Sequence, residues 1–331
     1  MDTILHKKIY KQIKASSRIL LIPHQNPDGD AVGSVVALAH MLKNMNIVYD
    51  IYCLTDVPHA FAFLPYARYI SQDIALWNYD YDSIIVCDSG DPGYAGIAHE
   101  LERKKSTTTI INIDHHASNT FFGDINLVDT KASSTTEVLY HFLHSQHIEI
   151  NPAIATALLT GLVYDTQNFS NAGTSLDALS IASKLVQKGA RNIDIRKYLI
   201  NNKKIHVFAL WSRILMRLEE HNETNIIYTF ITQQDIRECN AHEDDISGVA
   251  NLLNDLSYGK ASLVLREKEG GSIKGSLRTT YDDVDVSSLA MSLGGGGHKK
   301  ASGFSLEGPF DESLKLIWSK LELFAKKGYT L

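Results

Sequence analysis

The chain has 331 residues, 44% of them hydrophobic, and a formal net charge of −6. This length is enough for two domains, each with a sizeable hydrophobic core. The net negative charge argues against a protein that binds long duplex nucleic acid, because such binding needs a basic surface. The last third of the sequence is also net negative, so any nucleic-acid substrate is expected to be short and held by a few focused contacts.

Cysteine use and the hydrophobic pattern both favour a cytoplasmic protein. The three cysteines, Cys53, Cys87 and Cys239, are widely spaced and form no CxxC pair. This spacing argues against a disulfide framework and against a zinc site built on thiolates. The N-terminal segment lacks the apolar core of a signal peptide, and no apolar run reaches the ~18 residues that suggest a membrane span. We therefore expect no membrane association.

The first part of the chain alternates strand and helix patterns. The predicted elements, in chain order, are a helix at Ile4–Lys14, a strand at Arg18–Ile22, a helix at Ala31–Met45, a strand at Val48–Leu54, a strand at Ser83–Cys87, a helix at Tyr94–Lys104 and a strand at Thr109–Ile113. Buried strands that alternate with helices predict an α/β fold with a doubly wound, mainly parallel sheet.

Helices dominate the middle of the chain, and strands return after Asn222. The predicted helices are Ser134–His144, Asn151–Tyr164, Leu176–Lys188, Val286–Leu293, Phe310–Lys326 and one near Ile246–Leu256. The later strands are Ile226–Phe230, Ala261–Arg266, Ile273–Arg278 and Ala301–Leu306. We expect a catalytic domain over 1–190, a helical connector over 191–221 and a smaller C-terminal α+β domain over 222–331.

Four stretches with a buried-strand pattern are each followed by aspartate or histidine, and in one case also by an asparagine. These residues are His24, Asn26, Asp28 and Asp30 after the first strand, Asp88 after the third, Asp114, His115 and His116 after the fourth, and Asp165 after Ala157–Tyr164. The carboxyl ends of parallel strands lie side by side, so these residues are expected to converge on one edge of the sheet. Clustered carboxylates repel one another unless they are neutralised. Carboxylate and imidazole together suit divalent ions such as Mn²⁺, Mg²⁺ or Zn²⁺.

Four of these carboxylates, Asp28, Asp30, Asp88 and Asp165, balance the charge of two divalent ions. Two ions roughly 3.5–4 Å apart can clamp a phosphoryl oxygen and acidify a water between them. Any one of these residues could instead cap a helix or lie at the surface, as Asp30 could at the start of its helix. Their recurrence at four places in one domain favours a two-metal centre.

The same motifs, taken in order, resemble those of a known family. They are His24–Ser34, Asp88–Asp91, Asp114–His116, Asp165–Thr166 and Gly294–Gly303. The first four resemble the motifs of the DHH phosphoesterase superfamily, and the last is similar to the signature of its DHHA1 substrate-binding domain. Within the superfamily, the arrangement resembles the bifunctional oligoribonuclease and pAp phosphatase subfamily, the nanoRNases.

The resemblance implies ligands for two divalent metal ions, with Mn²⁺ expected and Mg²⁺ as the alternative. One ion would be held by His24, Asp28 and Asp88, and the other by Asp30, Asp88, His115 and Asp165, with Asp88 bridging. The resemblance also implies that His116 faces the substrate phosphate, that Asp114 orients a histidine, and that Asn26 contacts the phosphate.

The glycine run Gly294–Gly297 is the main feature of the C-terminal domain. Its backbone N–H groups could cradle a phosphate, although a flexible hairpin explains a bare glycine run equally well. The basic segment His298–Lys300, together with Arg278 on a preceding strand, favours anion binding. The resemblance implies the following substrate-binding residues: Arg278, Gly295, Gly296, Gly297 and His298.

These features predict a two-metal phosphoesterase that hydrolyses short oligoribonucleotides, the 3′-phosphate of pAp-like nucleotides, or both. Short single-stranded RNA or DNA and small nucleotides are the expected partners. The sequence leaves open whether the protein forms a homodimer. Three alternatives compete: a phosphodiesterase of cyclic or linear dinucleotides, an inorganic pyrophosphatase, and a non-catalytic nucleotide-binding module. One feature argues against each alternative. The pyrophosphatase family carries a different C-terminal domain, and the familiar cyclic-dinucleotide enzymes have N-terminal membrane segments. A non-catalytic relative should have lost some of the metal ligands.

Overall fold

The computed structural model describes residues 3–104, 108–171, 173–200, 204–246, 259–268 and 270–326, together with positions 249 and 253. The chain divides into two units, Met1–Asn202 and Lys203–Leu331. The domain limits expected from the sequence, 1–190, 191–221 and 222–331, stay a prediction. Within the described ranges, no helix is both long enough and apolar enough to cross a membrane.

The first unit is built from alternating strands and helices. Its strands are β1 (Arg18–Pro23), β2 (Val48–Tyr52), β3 (Ile70–Ser71), β4 (Ser83–Cys87), β5 (Thr109–Asp114) and β6 (Ile125–Val128). Its helices are α1 (Thr3–Ala15), α2 (Gly29–Asn44), α3 (Ala98–Lys104), α4 (Thr135–Ser145), α5 (Pro152–Asp165), α6 (Leu176–Gln187) and α7 (Asn192–Ile195), the last followed by a π-helical turn at Arg196–Ile200.

The strands of the first unit form one parallel sheet. Its order is β3-β2-β1-β4-β5-β6, and every pair of neighbours is parallel. The strand order reverses direction between β1 and β4, and sheets of this kind bind ligands in the crevice outside the carboxyl ends of such strands. The predicted doubly wound parallel sheet is confirmed.

Alternate residues of β1 pack on opposite faces of the sheet. Ile19 and Leu21 belong to a large hydrophobic cluster that includes residues of α2, α4 and α5. Leu20 and Ile22 belong to a second cluster on the other face. This burial on both faces explains why the strands are continuously apolar. The rigid sheet therefore fixes the positions of the residues that follow its strands.

Side-chain caps determine where two helices of this unit begin. Asn151 caps α5 by accepting the N–H groups of its first turn, next to Pro152, as the sequence predicts. Ser134 caps α4 by accepting the N–H of Glu137. The Glu137 carboxylate accepts the N–H of Ser133, one residue earlier than in a standard capping box.

The second unit is a smaller α+β domain. Its strands are β7 (Glu219–His221), β8 (Ile226–Ile231), β9 (Ala261–Glu267), β10 (Ile273–Arg278), β11 (Gly296–His298) and β12 (Ala301–Leu306). Its helices are α8 (Ile205–Met216), α9 (Gln233–Glu238), α10 (Val286–Ser292) and α11 (Phe310–Lys326). The sheet order is β11-β12-β10-β9-β8-β7, with β8 and β9 parallel and the other pairs antiparallel. The α+β prediction is confirmed.

The structure differs from the predicted elements in a few places. The short strands β3, β6, β7 and β11 were not predicted, because strands of so few residues are too short to show a clear alternation of apolar and polar side chains. The helix predicted at Tyr94–Lys104 begins only at Ala98. The helix predicted near Ile246–Leu256 lies largely outside the described residues.

Candidate metal centre

The carboxyl ends of three neighbouring strands carry the first residues of the candidate site. His24 follows β1, Asp88 follows β4, and Asp114 is the last residue of β5. Asp88 has a φ of 59°, a left-handed conformation that is uncommon for a residue other than glycine. Backbone strain of this kind concentrates at functional sites. Asp88 Oδ2 lies 3.6 Å from His24 Nε2, and Asp88 Oδ1 lies 3.7 Å from Nδ1 of His116, which follows β5, so the expected convergence of these strand ends is present.

His24, Asp28 and Asp88 form a first group of side chains that could hold a metal ion, with ligand atoms within 4.8 Å of one another. His24 Nε2 lies 3.8 Å from Asp28 Oδ1 and 3.6 Å from Asp88 Oδ2. His24 Nδ1 donates a hydrogen bond to the carbonyl oxygen of Gln25 over 2.7 Å. Because that oxygen can only accept, Nε2 is the nitrogen left to face the carboxylates.

Asp30, His115 and Asp165 form a second such group. His115 Nε2 lies 3.2 Å from Asp165 Oδ2 and 3.8 Å from Asp88 Oδ1, so Asp88 adjoins both groups. The Nε2 atom is buried and makes no hydrogen bond of normal geometry with the described part of the chain. A buried ring nitrogen without such a hydrogen bond needs an explanation. A metal ion held among these carboxylates would provide one.

Asp165 reaches the site from the end of a helix, so the helix predicted at Asn151–Tyr164 is present and the expectation that Asp165 follows a buried strand is wrong. The apolar stretch Ala157–Tyr164 lies inside α5, and Asp165 is the last residue of that helix. A short apolar run cannot by itself distinguish a buried strand from a buried helix. The chain leaves α5 through three consecutive left-handed residues, Gln167, Asn168 and Phe169.

The electrostatics of the two groups favour a bound cation. Burial raises the pKa of Asp30 and of Asp88 to about 7, and repulsion by neighbouring carboxylates adds to the shift. The pKa of Asp165 rises to about 6, again chiefly through burial. Burial opposes protonation of the histidines, yet the facing carboxylates raise the pKa of His24 to about 9 and of His115 to about 10. This donor set of carboxylates and imidazoles fits divalent ions.

The N-terminus of α4 holds Asp30 in place. Asp30 Oδ2 and Oδ1 accept hydrogen bonds from the N–H groups of Thr135 and Thr136 over 2.5 and 2.9 Å. The Thr135 hydroxyl donates to Asp88 Oδ1 over 2.9 Å. A Cβ atom at Gly161 would lie 2.4 Å from Asp30 Oδ1, so only glycine leaves room there. The roles of Thr135, Thr136 and Gly161 were not predicted from the sequence, which indicated only a helix at Ser134–His144.

His116 lies beside Asp114 at the end of β5. Its Nδ1 donates to Asp114 Oδ1 over 2.8 Å, and Asn119 donates to Asp114 Oδ2 over 2.6 Å. Burial opposes the ionisation of Asp114, but these hydrogen bonds lower its pKa. The hydrogen bond to Asp114 in turn raises the pKa of His116. The His116 side chain is 42% exposed, so its Nε2 stays accessible. Asp114 thus orients a histidine, and Asn119 is a partner that was not predicted.

The loop between β1 and α2 brings Asp28 and Asp30 to the site. Asn26 is exposed and has a φ of 56°; contact between its side chain and a phosphate stays a prediction. Asp28 caps α2, and its Oδ1 accepts the N–H of Asp30 over 2.9 Å. A Cβ atom at Gly29 would lie 2.6 Å from the Tyr164 side chain. Glycine at this position therefore allows α2 to begin close to the end of α5.

Arg278, at the end of β10 in the second unit, is half-buried. Its guanidinium donates to the Leu277 carbonyl oxygen over 3.0 Å, and burial alone lowers its pKa. Among the described residues, no carboxylate pairs with it. Arg278 is aligned with Ala301 of β12, which is aligned with His298 of β11. Arg278 and His298 thus lie in one row across the sheet. A half-buried guanidinium that pairs with no carboxylate among the described residues is suited to bind an anion.

Packing accounts for part of the glycine run. The N–H of Gly295 donates to the Ala290 carbonyl oxygen, and a Cβ atom at Gly295 would lie 2.1 Å from the Gly303 oxygen. A Cβ atom at Gly297 would likewise meet the main chain of β12, whereas one at Gly296 would meet nothing within 4 Å. Any backbone cradle for a phosphate would therefore have to use N–H groups beyond Gly295.

The two lysines after the glycine run contact the loop that follows β10. Lys299 Nζ donates to the Asp282 carbonyl oxygen over 2.6 Å. Lys300 Nζ donates to the Thr280 carbonyl oxygen and pairs with the Asp282 carboxylate, each over 2.8 Å. These contacts stabilise the loop, so an anion at this edge of the sheet would be left to Arg278 and His298.

Comparison with known proteins identifies two family regions and several relatives. The model of the DHH family, N-terminal domain, matches residues 18–162, and that of the DHHA1 domain matches residues 223–327. The bifunctional oligoribonuclease and PAP phosphatase of Thermus thermophilus is 28% identical over 88% of this chain and 84% of that protein. The corresponding protein of Bacillus subtilis is 25% identical over 97% of this chain and 98% of that protein. An exopolyphosphatase-related protein from Bacteroides fragilis has the same fold, with a TM-score of 0.88, 23% identity, and coverage of 98% of this chain and 97% of that one.

Proposed function

Because this chain belongs to the DHH/DHHA1 superfamily of phosphoesterases, we propose that it is a two-metal hydrolase acting on short oligoribonucleotides and on the 3′-phosphate of pAp-like nucleotides. The observation that carries the proposal is that two candidate ligand groups meet at Asp88, which belongs to the first group and lies beside His115 of the second. The relatives named as oligoribonucleases and PAP phosphatases align with nearly the whole chain, which supports this substrate class.

Two divalent ions would occupy the site. His24, Asp28 and Asp88 would hold one, and Asp30, Asp88, His115 and Asp165 would hold the other. Mn²⁺ is our first choice and Mg²⁺ the second, because both accept carboxylate ligands. When bound, such ions supply Lewis-acid stabilisation of phosphoryl oxygens and lower the pKa of an attacking water.

His116 would act on the leaving group. Its Nδ1 is occupied by Asp114, which leaves the accessible Nε2 to donate a proton to the departing oxygen. The hydrogen bond to Asp114 raises the pKa of His116 and so favours the protonated ring that a general acid needs. Asn26 would contact the phosphate from the loop that precedes α2.

The second unit would hold the nucleotide through Arg278, His298 and the backbone at Gly296 and Gly297, with Gly295 supporting the turn. The row formed by Arg278 and His298 supports a local anion grip rather than a long basic track. Short single-stranded RNA or DNA and small nucleotides are therefore the proposed partners. Location in the cytoplasm and a connector over 191–221 are further parts of the proposal, and the oligomeric state is left open.

The proposal is tested by incubating metal-free protein with and without Mn²⁺ against pAp, linear and cyclic dinucleotides, short RNA and pyrophosphate. We expect Mn²⁺-dependent hydrolysis of pAp and short RNA. Asp88→Asn should reduce this rate by more than about a hundredfold. Replacing a residue that only supports a metal ligand lowers activity by about 10- to 100-fold, and Asp88 is proposed to be a ligand of both ions. Asp80→Asn, at an exposed position, is the matched control and should leave the rate unchanged.

Each alternative gives a different result in this panel. Turnover of pyrophosphate alone would indicate a pyrophosphatase, and turnover of cyclic dinucleotides alone would indicate a cyclic-dinucleotide phosphodiesterase. Nucleotide binding without any hydrolysis would indicate a binding module. Full activity after verified removal of metal would refute the two-metal proposal.

A further inference from the structure

Thr135, the first residue of α4, contacts two of the candidate ligands. Its hydroxyl donates to Asp88 Oδ1 over 2.9 Å, and its N–H donates to Asp30 Oδ2 over 2.5 Å. Thr135, Asp30 and Asp88 are all buried. A buried hydroxyl of this kind needs a partner, and the partner here is the carboxylate that adjoins both candidate metal groups.

The hydrogen bond from Thr135 distinguishes the two oxygens of Asp88. Asp88 Oδ2 lies 3.6 Å from His24 Nε2, and Asp88 Oδ1 lies 3.8 Å from His115 Nε2. The two oxygens of Asp88 thus face different ligand groups, and this orientation would let the carboxylate serve both ions. Rotation of the carboxylate about its Cβ–Cγ bond would misdirect both oxygens. A donor fixed on Oδ1 opposes this rotation.

The hydroxyl of Thr135 is itself held in a fixed place. Ser134 caps α4 by accepting the N–H of Glu137 over 3.0 Å. Asp30 accepts the N–H groups of Thr135 and Thr136, so the first turn of α4 is anchored on both sides. These hydrogen bonds hold the main chain of the helix start, and from there the Thr135 hydroxyl donates to Asp88.

We propose that Thr135 is a positioning residue that aligns the Asp88 carboxylate between two metal ions and so raises the affinity of the site for them. This inference rests on the proposed function, since it assumes that Asp88 is shared by the ions. It assigns Thr135 no contact with the substrate. Supporting residues of this type change metal affinity or activity by about 10- to 100-fold when they are replaced.

The test compares Thr135→Val, which removes the hydroxyl and keeps the shape, with Thr135→Ser, which keeps the hydroxyl. Mn²⁺ affinity is measured by calorimetric titration, and kcat and KM are measured with pAp at several Mn²⁺ concentrations. We expect the valine variant to bind Mn²⁺ about 10- to 100-fold more weakly, with kcat partly restored by excess Mn²⁺, and the serine variant to stay within about threefold of wild type. Thr229→Val is the control, because that buried hydroxyl donates to the Ile214 carbonyl oxygen in the second unit.

Unchanged Mn²⁺ affinity in Thr135→Val would overturn the inference, and so would equal damage from valine and serine. If the valine variant does not fold by circular dichroism, Thr135→Ala takes its place. Loss of folding in both would mean that Thr135 supports the helix rather than the ions. Absence of Mn²⁺ binding or hydrolysis in the wild-type protein would refute the proposed function itself, which is a separate outcome.

Discussion

Replacing Arg278 and His298 together by alanine should separate substrate binding from metal binding. Arg278 is half-buried, and its described hydrogen bond goes to a backbone carbonyl. Burial lowers its pKa, which means that its charge is poorly compensated in the free protein. His298 is exposed in the same row of the sheet. Both side chains are therefore available to a phosphate without first breaking an ion pair among the described residues.

The size of the effect follows from removing two hydrogen bonds to a charged phosphate. A hydrogen bond to a charged group contributes about 1.5–3 kcal/mol. Two such bonds amount to about 3–6 kcal/mol, and 1.36 kcal/mol corresponds to a tenfold change in rate. The double variant should therefore show a kcat/KM for pAp and dinucleotides that is lower by at least about a hundredfold, since binding of remote substrate parts positions the reacting phosphate.

The assay compares these nucleotides with a small activated phosphodiester that needs no grip by the second unit. The double variant should bind Mn²⁺ normally and should retain turnover of the small substrate. Lys274→Ala, at an exposed position of the same strand, removes a positive charge and should change neither activity. Equal damage to turnover of both substrate classes would show that Arg278 and His298 serve folding or the metal site. Unchanged turnover of both would refute the role of the second unit in catalysis.

RNA length and the pH dependence of stability provide two further tests. The value of kcat/KM should fall as RNA lengthens beyond roughly five nucleotides, because extra phosphates find no basic track; equal efficiency on 3-mers and about 20-mers would contradict this. Asp235→Asn should lower the free energy of unfolding by about 3 kcal/mol at pH 7. Burial opposes ionisation of Asp235, but hydrogen bonds from Arg217 and Thr232 lower its pKa. The difference from wild type should thus shrink below about pH 4, as denaturation at several pH values would reveal.

The strand-end residues could be predicted because sheet geometry leaves little choice. Continuous apolar runs specify buried parallel strands, and the residues that follow such strands share one edge. This logic located His24, Asp88 and Asp114 correctly. It failed for Asp165, because Ala157–Tyr164 belongs to α5, the helix predicted at Asn151–Tyr164, and not to a strand of the sheet.

Interactions made by backbone groups could not be predicted from the sequence. Whether the N–H groups at the start of α4 reach Asp30 depends on how α4 lies against α2 and α5, which no local pattern specifies. The same holds for Gly161, whose missing side chain makes room for Asp30. In the second unit, packing against β12 explains Gly295 and Gly297, so the glycine pattern alone is not specific for a phosphate cradle.

Helix N-termini explain how this fold can hold several carboxylates in one buried place. Asp28 accepts N–H groups at the start of α2, and Asp30 accepts N–H groups at the start of α4. These donors would otherwise be unpaired, and the positive end of a helix dipole favours negative charge. Each helix start engages one carboxylate, which offsets part of the repulsion, but the raised pKa values of Asp30 and Asp88 show that the compensation is incomplete. The uncompensated part is what a pair of divalent cations would neutralise.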